Sequence, residues 1–225
     1  MNDETTDVAK KEPFGVYSPD SINYFLGSDG RNKLYRELAY KDLIDQYQLK
    51  GTLLDLGAGC GGTSVVWKNL GLDVVASDLQ PFFVEYMKTL GLNSEIVDAT
   101  NIQESLGTTT FDVVFASGLT PQVRRVYGNA VKTYESIGKA LNPGGIFIFE
   151  FSFARTDEYK KTFYKTEEII EMINCFDFFD LVDAHNIKAC PARFYRPWNK
   201  HLLFAADQLV TRIFGMVQRY VIRKV

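Results

Sequence analysis

Leu53 to Gly62 reads Leu-Leu-Asp-Leu-Gly-Ala-Gly-Cys-Gly-Gly, an apolar run that ends in an acid and breaks into glycines. Thr63 to Leu70 follows with residues that can start a helix. Glycine lets a backbone turn where other residues cannot and, lacking Cβ, lets a ligand approach the main chain. The free amides at the helix start favour an anionic group. The stretch therefore reads as a strand, a turn and a helix that hold a carboxylate or a phosphate. Two further acids, Asp78 and Asp98, each close a short apolar run downstream.

Two ligands suit such a turn. Gly57, Gly59 and Gly62 satisfy G-x-G-x-x-G, and Asp78 lies 21 residues beyond Gly57, where a dinucleotide site carries its ribose-binding acid. The same residues satisfy acid-x-G-x-G-x-G through Asp55, Gly57, Gly59 and Gly61. In this second spacing the chain resembles the class I S-adenosylmethionine (SAM) dependent methyltransferases, whose turn meets an amino acid rather than a pyrophosphate. Asp55 discriminates between the two. Beside a pyrophosphate it would be repelled, whereas near the ammonium of SAM it is attracted. The resemblance spans about Thr52 to Phe151 and is strengthened by Asp78, Asp98 and Leu-Asn-Pro-Gly-Gly ahead of the strongly apolar Ile146 to Phe151.

The resemblance implies a role for each position. The backbone from Gly57 through Ala58 to Gly59, with Gly61 completing the turn, would hold the methionine moiety, and Asp55 would order its amino end. Asp78 would accept both ribose hydroxyls, and Leu79 would lie against adenine. Asp98 would accept the adenine amino group, the Ala99 amide would meet a ring nitrogen, and Ser117 would face the methionine through its backbone. S-adenosylhomocysteine (SAH) would be the product. Cys60, inside the turn, reads as a small packing residue.

A sulfonium is already an activated methyl donor, so holding the acceptor in line can supply about 7 to 11 kcal/mol of barrier reduction. A hydroxyl acceptor gains further from a general base. His185, His201 and Glu150 are the candidates for a catalytic or acceptor-binding group. Tyr17, Tyr24, Arg124 (beside Arg125) and Trp198 are candidates for the acceptor pocket. Ser117-Gly-Leu-Thr-Pro lacks the motif of enzymes that methylate exocyclic amines of bases or glutamine amides, and it lacks the acid of the metal-dependent catechol-type enzymes. No metal is expected.

The elements needed to position these residues follow from spacing. Residues 1–12 read as a mobile tail, and residues 13–50 as aromatics among turn formers followed by a helix around Leu34 to Ile44; the resemblance implies that this N-terminal block folds over the cofactor as a helical lid. Residues 51–225 form the core. Strands are expected at Asp73–Ser77, Ser94–Val97, Phe111–Ala116, Ile146–Phe151, Phe178–Ala184 and Val217–Val225. Helices are expected at Pro81–Leu90, Asn129–Leu141, Thr166–Ile173 with Thr166 as N-cap, and Trp198–Phe214. The alternation implies an α/β fold, a doubly wound, mostly parallel seven-stranded Rossmann-like sheet. Residues 191–216 would be a loop and helix inserted before the last strand, over the ligand-binding edge.

At 225 residues and 46% hydrophobic, the chain suffices for one domain that buries roughly 70 to 75% of its unfolded surface. Three cysteines without paired spacing suggest neither a disulfide framework nor zinc, and a cytoplasmic location is expected. Asn186 to Val225 holds eight Lys or Arg against one Asp, a net of +7, which leaves −10 on the remainder. The basic segment either balances the acidic body or meets an anionic partner. The function expected is SAM-dependent methylation of a small molecule, at oxygen, by a monomer or homodimer. The resemblance further suggests a lipid-linked, glycan or polyketide-like acceptor, and the helix at 198–214 suggests peripheral membrane contact. RNA methylation, an NAD-linked oxidoreductase and a non-catalytic interaction module are the alternatives.

Overall fold

Leu53–Leu56, Val113–Ala116 and Ile146–Phe149 are apolar on both sides of the pleat, a pattern that suits strands covered on both faces. The computed structural model describes residues 21–119, 129–152, 164–187, 197–214 and 217–225. In it these runs become the centre of a seven-stranded sheet. The strands are β1 (Thr52–Leu56), β2 (Asp73–Asp78), β3 (Asn93–Ile96), β4 (Phe111–Ser117), β5 (Leu141–Ser152), β6 (Phe179–Ile187) and β7 (Val217–Lys224). Their order is β3-β2-β1-β4-β5-β7-β6. Only β7 runs against the others: it pairs antiparallel with both β5 and β6, so β6 returns parallel to β5.

The helices are α1 (Ser21–Tyr47), α2 (Gly62–Asn69), α3 (Pro81–Thr89), α4 (Ile102–Leu106), α5 (Ala130–Ala140), α6 (Thr166–Asn174) and α7 (Lys200–Phe214). Alternate residues of each central strand feed two cores. Leu53, Val113, Phe115, Ile148 and Val221 pack with Tyr40 and Leu43 of α1 and with Trp67 of α2. Leu54, Leu56, Val114, Phe147, Phe149 and Ile222 pack with Ile102 of α4, Tyr134 and Ile137 of α5, and Ile169 of α6.

Several local expectations change in the folded chain. The N-terminal helix is longer than its apolar spacing predicts: α1 has 27 residues and begins at Ser21, within the stretch read above as aromatics among turn formers. Packing of Tyr35, Ala39, Tyr40 and Leu43 on the sheet outweighs the local propensity. Asn142-Pro-Gly-Gly does turn, but inside β5. Leu141 pairs with Phe111 and Ile146 with Val113, so five steps along β5 match two along β4 and the excess is extruded. Thr166 is not the N-cap of α6. Lys165 holds that position and its N–H donates to the Glu168 carboxylate (2.8 Å), while the Thr166 hydroxyl is hydrogen-bonded to Gln218 of β7 (2.8 Å). The last helix begins at Lys200, with Trp198 in the turn before it. It covers the α1 face beside β6, where Leu203 and Phe204 join the α1 core.

Candidate active site

The turn after β1 is built as its glycines require. Gly57, Gly59 and Gly61 all lie in the left-handed region, at φ 68°, 55° and 74°, where a side chain is strained. Their surroundings differ. A Cβ on Gly61 would stand 2.8 Å from Leu92 Cδ1 and 2.9 Å from Met87 Cγ, and one on Gly57 would stand 3.0 Å from Leu119 Cδ1. A Cβ on Gly59 would meet nothing within 4 Å. Gly61 is thus needed by the fold, and Gly59 borders open space. Gly61→Ala is expected to cost about 1–3 kcal/mol of stability by overpacking, measurable by denaturant unfolding.

Acids fasten the turn from both sides. Asp55 is buried, and its Oδ2 accepts a hydrogen bond from the Ser64 hydroxyl of α2 at 2.6 Å. Asp78, at the end of β2, accepts the Gly59 N–H at Oδ2 (3.0 Å) and the Gln80 N–H at Oδ1 (2.9 Å). Burial pushes the Asp78 carboxyl above the ordinary range, against the pull of these amides and that of Leu79. Each oxygen retains a further lone pair for a hydroxyl donor. The neighbouring Leu79 is 57% exposed, an apolar side chain presented to solvent at a carboxyl-end edge where open α/β sheets bind ligands.

Asp98 is exposed, and its Oδ1 accepts both the Thr100 N–H and the Thr100 hydroxyl at 2.8 Å. Ala99 beside it is buried. Ser117 ends β4, and the Gly118 N–H that follows donates to the Glu150 carbonyl (2.7 Å).

Residues 54–149 match the family described as Methyltransferase domain. Over these residues the chain is similar to methyltransferases, which supports a SAM-dependent enzyme. SAM is therefore the cofactor, and the turn suits it: three left-handed glycines, open space above Gly59, and carboxylates at the ends of β1 and β2.

Solved structures share the fold of this methyltransferase. A SAM-dependent methyltransferase from Archaeoglobus fulgidus is 14% identical over 90% of this chain and 99% of its own, with a TM-score of 0.63. The plantazolicin methyltransferase BpumL, in complex with SAH, is 13% identical over 96% and 93%, with a TM-score of 0.62. A structure titled for the conversion of a disulfide bond into a thioacetal group during echinomycin biosynthesis is 15% identical over 83% and 81%, with a TM-score of 0.56. No curated protein matches the sequence.

The remaining candidates of the methyltransferase fall in different places. Ser117, Glu150, Arg219 and His185 occupy one register row across β4, β5, β7 and β6. Glu150, expected as a base, is buried on Arg219, whose Nε (2.8 Å) and Nη2 (2.5 Å) both donate to its Oε1. Both guanidinium donors thus converge on one carboxylate oxygen of Glu150. Opposite Glu150, the guanidinium is held above its usual range even though burial pulls it down. Tyr40 of α1 is stacked on Trp67 at 4.3 Å, and its phenol is raised, chiefly by burial and then by Glu150.

His185 is partly exposed and lies within β6, not after it. Its Nδ1 is 3.1 Å from Asp183 Oδ2, which also accepts the Tyr47 hydroxyl of α1 at 2.9 Å. His201 is exposed on α7. Tyr17, Arg124, Arg125 and the Tyr24 side chain lie outside the described residues. Cys60 is buried, its thiol 3.8 Å from the Ile22 carbonyl, which sets the start of α1 against the glycine turn.

Sequence reasoning missed Ser64, Asp183, Arg219 and Tyr47. Ser64 carries a weak signal, a hydroxyl in the first turn of the helix after the glycines. Asp183 stands two residues before His185, a local signal; Tyr47 and Arg219 have none, because their partners are remote in the chain.

Proposed function

We propose that this methyltransferase acts at oxygen on a small molecule, with α1 as its lid. The observation that carries the reading is a cavity of about 360 Å³ in which Thr166, Asp183, His185, Asn186, Gln218 and Tyr220 meet. It lies toward the edge at which β5 and β6 end. Its hydroxyls, amides and imidazole suit a polar molecule, and Gln218 is already held by Thr166 (2.8 Å) and by the Tyr220 hydroxyl (3.0 Å). The similar plantazolicin methyltransferase and the structure from echinomycin biosynthesis support the same class.

SAM supplies the activated methyl group when bound. Gly57 to Gly59 present backbone to its methionine end, and Asp55 keeps the turn in shape through Ser64. Asp78 and Asp98 offer acceptors to ribose and adenine, and Leu79 and Ala99 offer apolar surface and an amide. His185 lies three strand spacings from Ser117, about 14 Å. At that distance it anchors the far end of the acceptor and is not the base at the transferred methyl. Asp183 stands beside Nδ1, so Nε2 is the ring nitrogen that would meet an acceptor hydroxyl. Orientation is the main catalytic effect.

RNA loses support because part of the C-terminal positive charge is used internally. Arg219 is buried on Glu150, Lys224 donates to the Leu141 carbonyl (2.7 Å), and Lys200 stands 3.9 Å from Glu37. NAD is disfavoured by Asp55, which closes the turn with a carboxylate where a pyrophosphate would sit.

Calorimetric titration with SAM, SAH and NADH tests the cofactor half of this reading. Micromolar binding of the two adenosyl ligands without NADH supports it, and NADH binding alone overturns it. Turnover of hydroxylated natural products tests the acceptor half. His185→Asn should raise KM for the acceptor and leave SAH binding unchanged, and an effect on kcat alone would instead make His185 the base.

Affinity for SAH should also depend on pH through Asp78. Ribose hydroxyls donate to the ionised carboxylate, and the carboxyl of the free protein titrates above the ordinary range. Binding should therefore weaken as pH falls through that raised value, earlier than for an ordinary aspartate. In an Asp78→Asn variant that dependence should disappear. For stability the sign is opposite: the contribution of Asp78 is fully present below its unfolded-state pKa and is lost as pH rises through the folded one.

A further inference from the structure

α7 is apolar on two opposite faces. Leu203 and Phe204 face the α1 core, and Asp207, on the same side, is buried. On the other side Leu202 is 78% exposed and Leu209 83%, seven positions apart and hence on one stripe. Trp198, in the turn before the helix, is 84% exposed, and Ala205, between the two leucines, is exposed too. A helix with apolar residues on both faces is stable only with both covered, and one of these is bare.

Charge and area argue for what covers it. The only acid in α7 is Asp207, which is buried, so the outward surface of the helix carries no carboxylate. In sequence, Lys188, Arg193 and Arg196 precede the helix and Arg212 lies in its last turn. A second copy of the chain is a poor occupant. Three large side chains and an alanine on one arc fall short of the roughly 800 Å² per partner that a stable interface buries. A bilayer surface needs only shallow insertion of a Trp/Leu stripe, with basic residues at the headgroups. Tryptophan is well suited there, with an apolar ring and a polar N–H. Among the described residues no helix is long and apolar enough to cross a membrane.

We infer that the stripe Trp198–Leu202–Leu209 docks this protein on the surface of an anionic lipid bilayer, with α7 lying in the interfacial plane. This goes beyond the methyl-transfer reading and does not depend on it. Docking would place the edge at which β6 ends and β7 begins near the bilayer, since α7 connects these two strands.

The test uses the whole chain and vesicles of phosphatidylcholine with or without about one-third phosphatidylglycerol. The fluorescence readout is simple. Of the two tryptophans, Trp67 is fully buried against Tyr40, so a blue shift on adding vesicles reports Trp198. Co-sedimentation should be at least about tenfold stronger with the anionic lipid and should weaken with salt. The double variant Leu202→Glu, Leu209→Glu should lose about tenfold or more of the binding while keeping its SAH affinity and melting temperature. Three results would overturn the inference: no blue shift and no sedimentation; equal binding by the double variant; or a concentration-dependent dimer in analytical ultracentrifugation that the double variant abolishes. Loss of SAH binding by the wild type would instead strike the methyl-transfer reading and leave this one standing.

Discussion

Asp78→Ala is expected to weaken SAH binding at least about a hundredfold, or ~2.7 kcal/mol. A hydrogen bond to a charged group contributes about 1.5–3 kcal/mol, and the proposed site gives the ribose two of them. The variant also releases the Gly59 N–H from its acceptor, so the turn itself loses definition. Calorimetry measures the loss, and thermal unfolding serves as the control. Because burial already disfavours the Asp78 charge, the fold should tolerate its removal with only a small change in Tm. A fall of affinity below tenfold would mean that the ribose is held elsewhere. Gly59→Ala should act on the same ligand from the other side. It meets no neighbour in the fold, costs about 1–2 kcal/mol for its left-handed conformation, and should lose roughly tenfold in SAH affinity by obstructing the approach to the backbone.

Arg219→Met should be the most destabilising single change, at about 3–5 kcal/mol, because it leaves the Glu150 carboxylate buried without its cation. For a chain of this size that corresponds to a fall of roughly 6 to 20 °C in Tm. The double variant Glu150→Leu, Arg219→Met should recover most of the loss, since an apolar pair of similar volume is often as stable as the ion pair. The single variant also has a pH signature. An unpartnered buried carboxyl titrates high, so its stability deficit should shrink as pH falls and the group becomes neutral. If the double variant is no more stable than the single one, the pair is not an isolated unit, and its link to Tyr40 above would then have to be tested by a double-mutant cycle.

Much of the cofactor end was legible because its signal is local. The run from Leu53 to Gly62 contains its own strand, turn and helix start, and the spacing of Asp78 and Asp98 follows from strand lengths. The left-handed φ of Gly57, Gly59 and Gly61 is what their residue type anticipates. The same logic failed where long-range packing outweighs local preference. Residues 21–29 belonged to a stretch read as aromatics among turn formers and lie in a helix, and Thr166 read as a cap while its hydroxyl serves Gln218. Glu150 read as a candidate base because its place at a strand end was visible and its partner was not. Arg219 is 69 residues away, and the two meet because β7 inserts between β5 and β6.

The sequence by itself determined the class of fold and pointed to the cofactor, since alternating apolar runs and glycine spacing are properties of neighbouring positions. Only the tertiary structure decided the antiparallel β7, the Glu150–Arg219 pair, the Tyr47–Asp183–His185 contacts and, among the described residues, the exposed outer face of α7. Those depend on which strand lies beside which, and strand order is set by the packing of the whole sheet rather than by any segment within it.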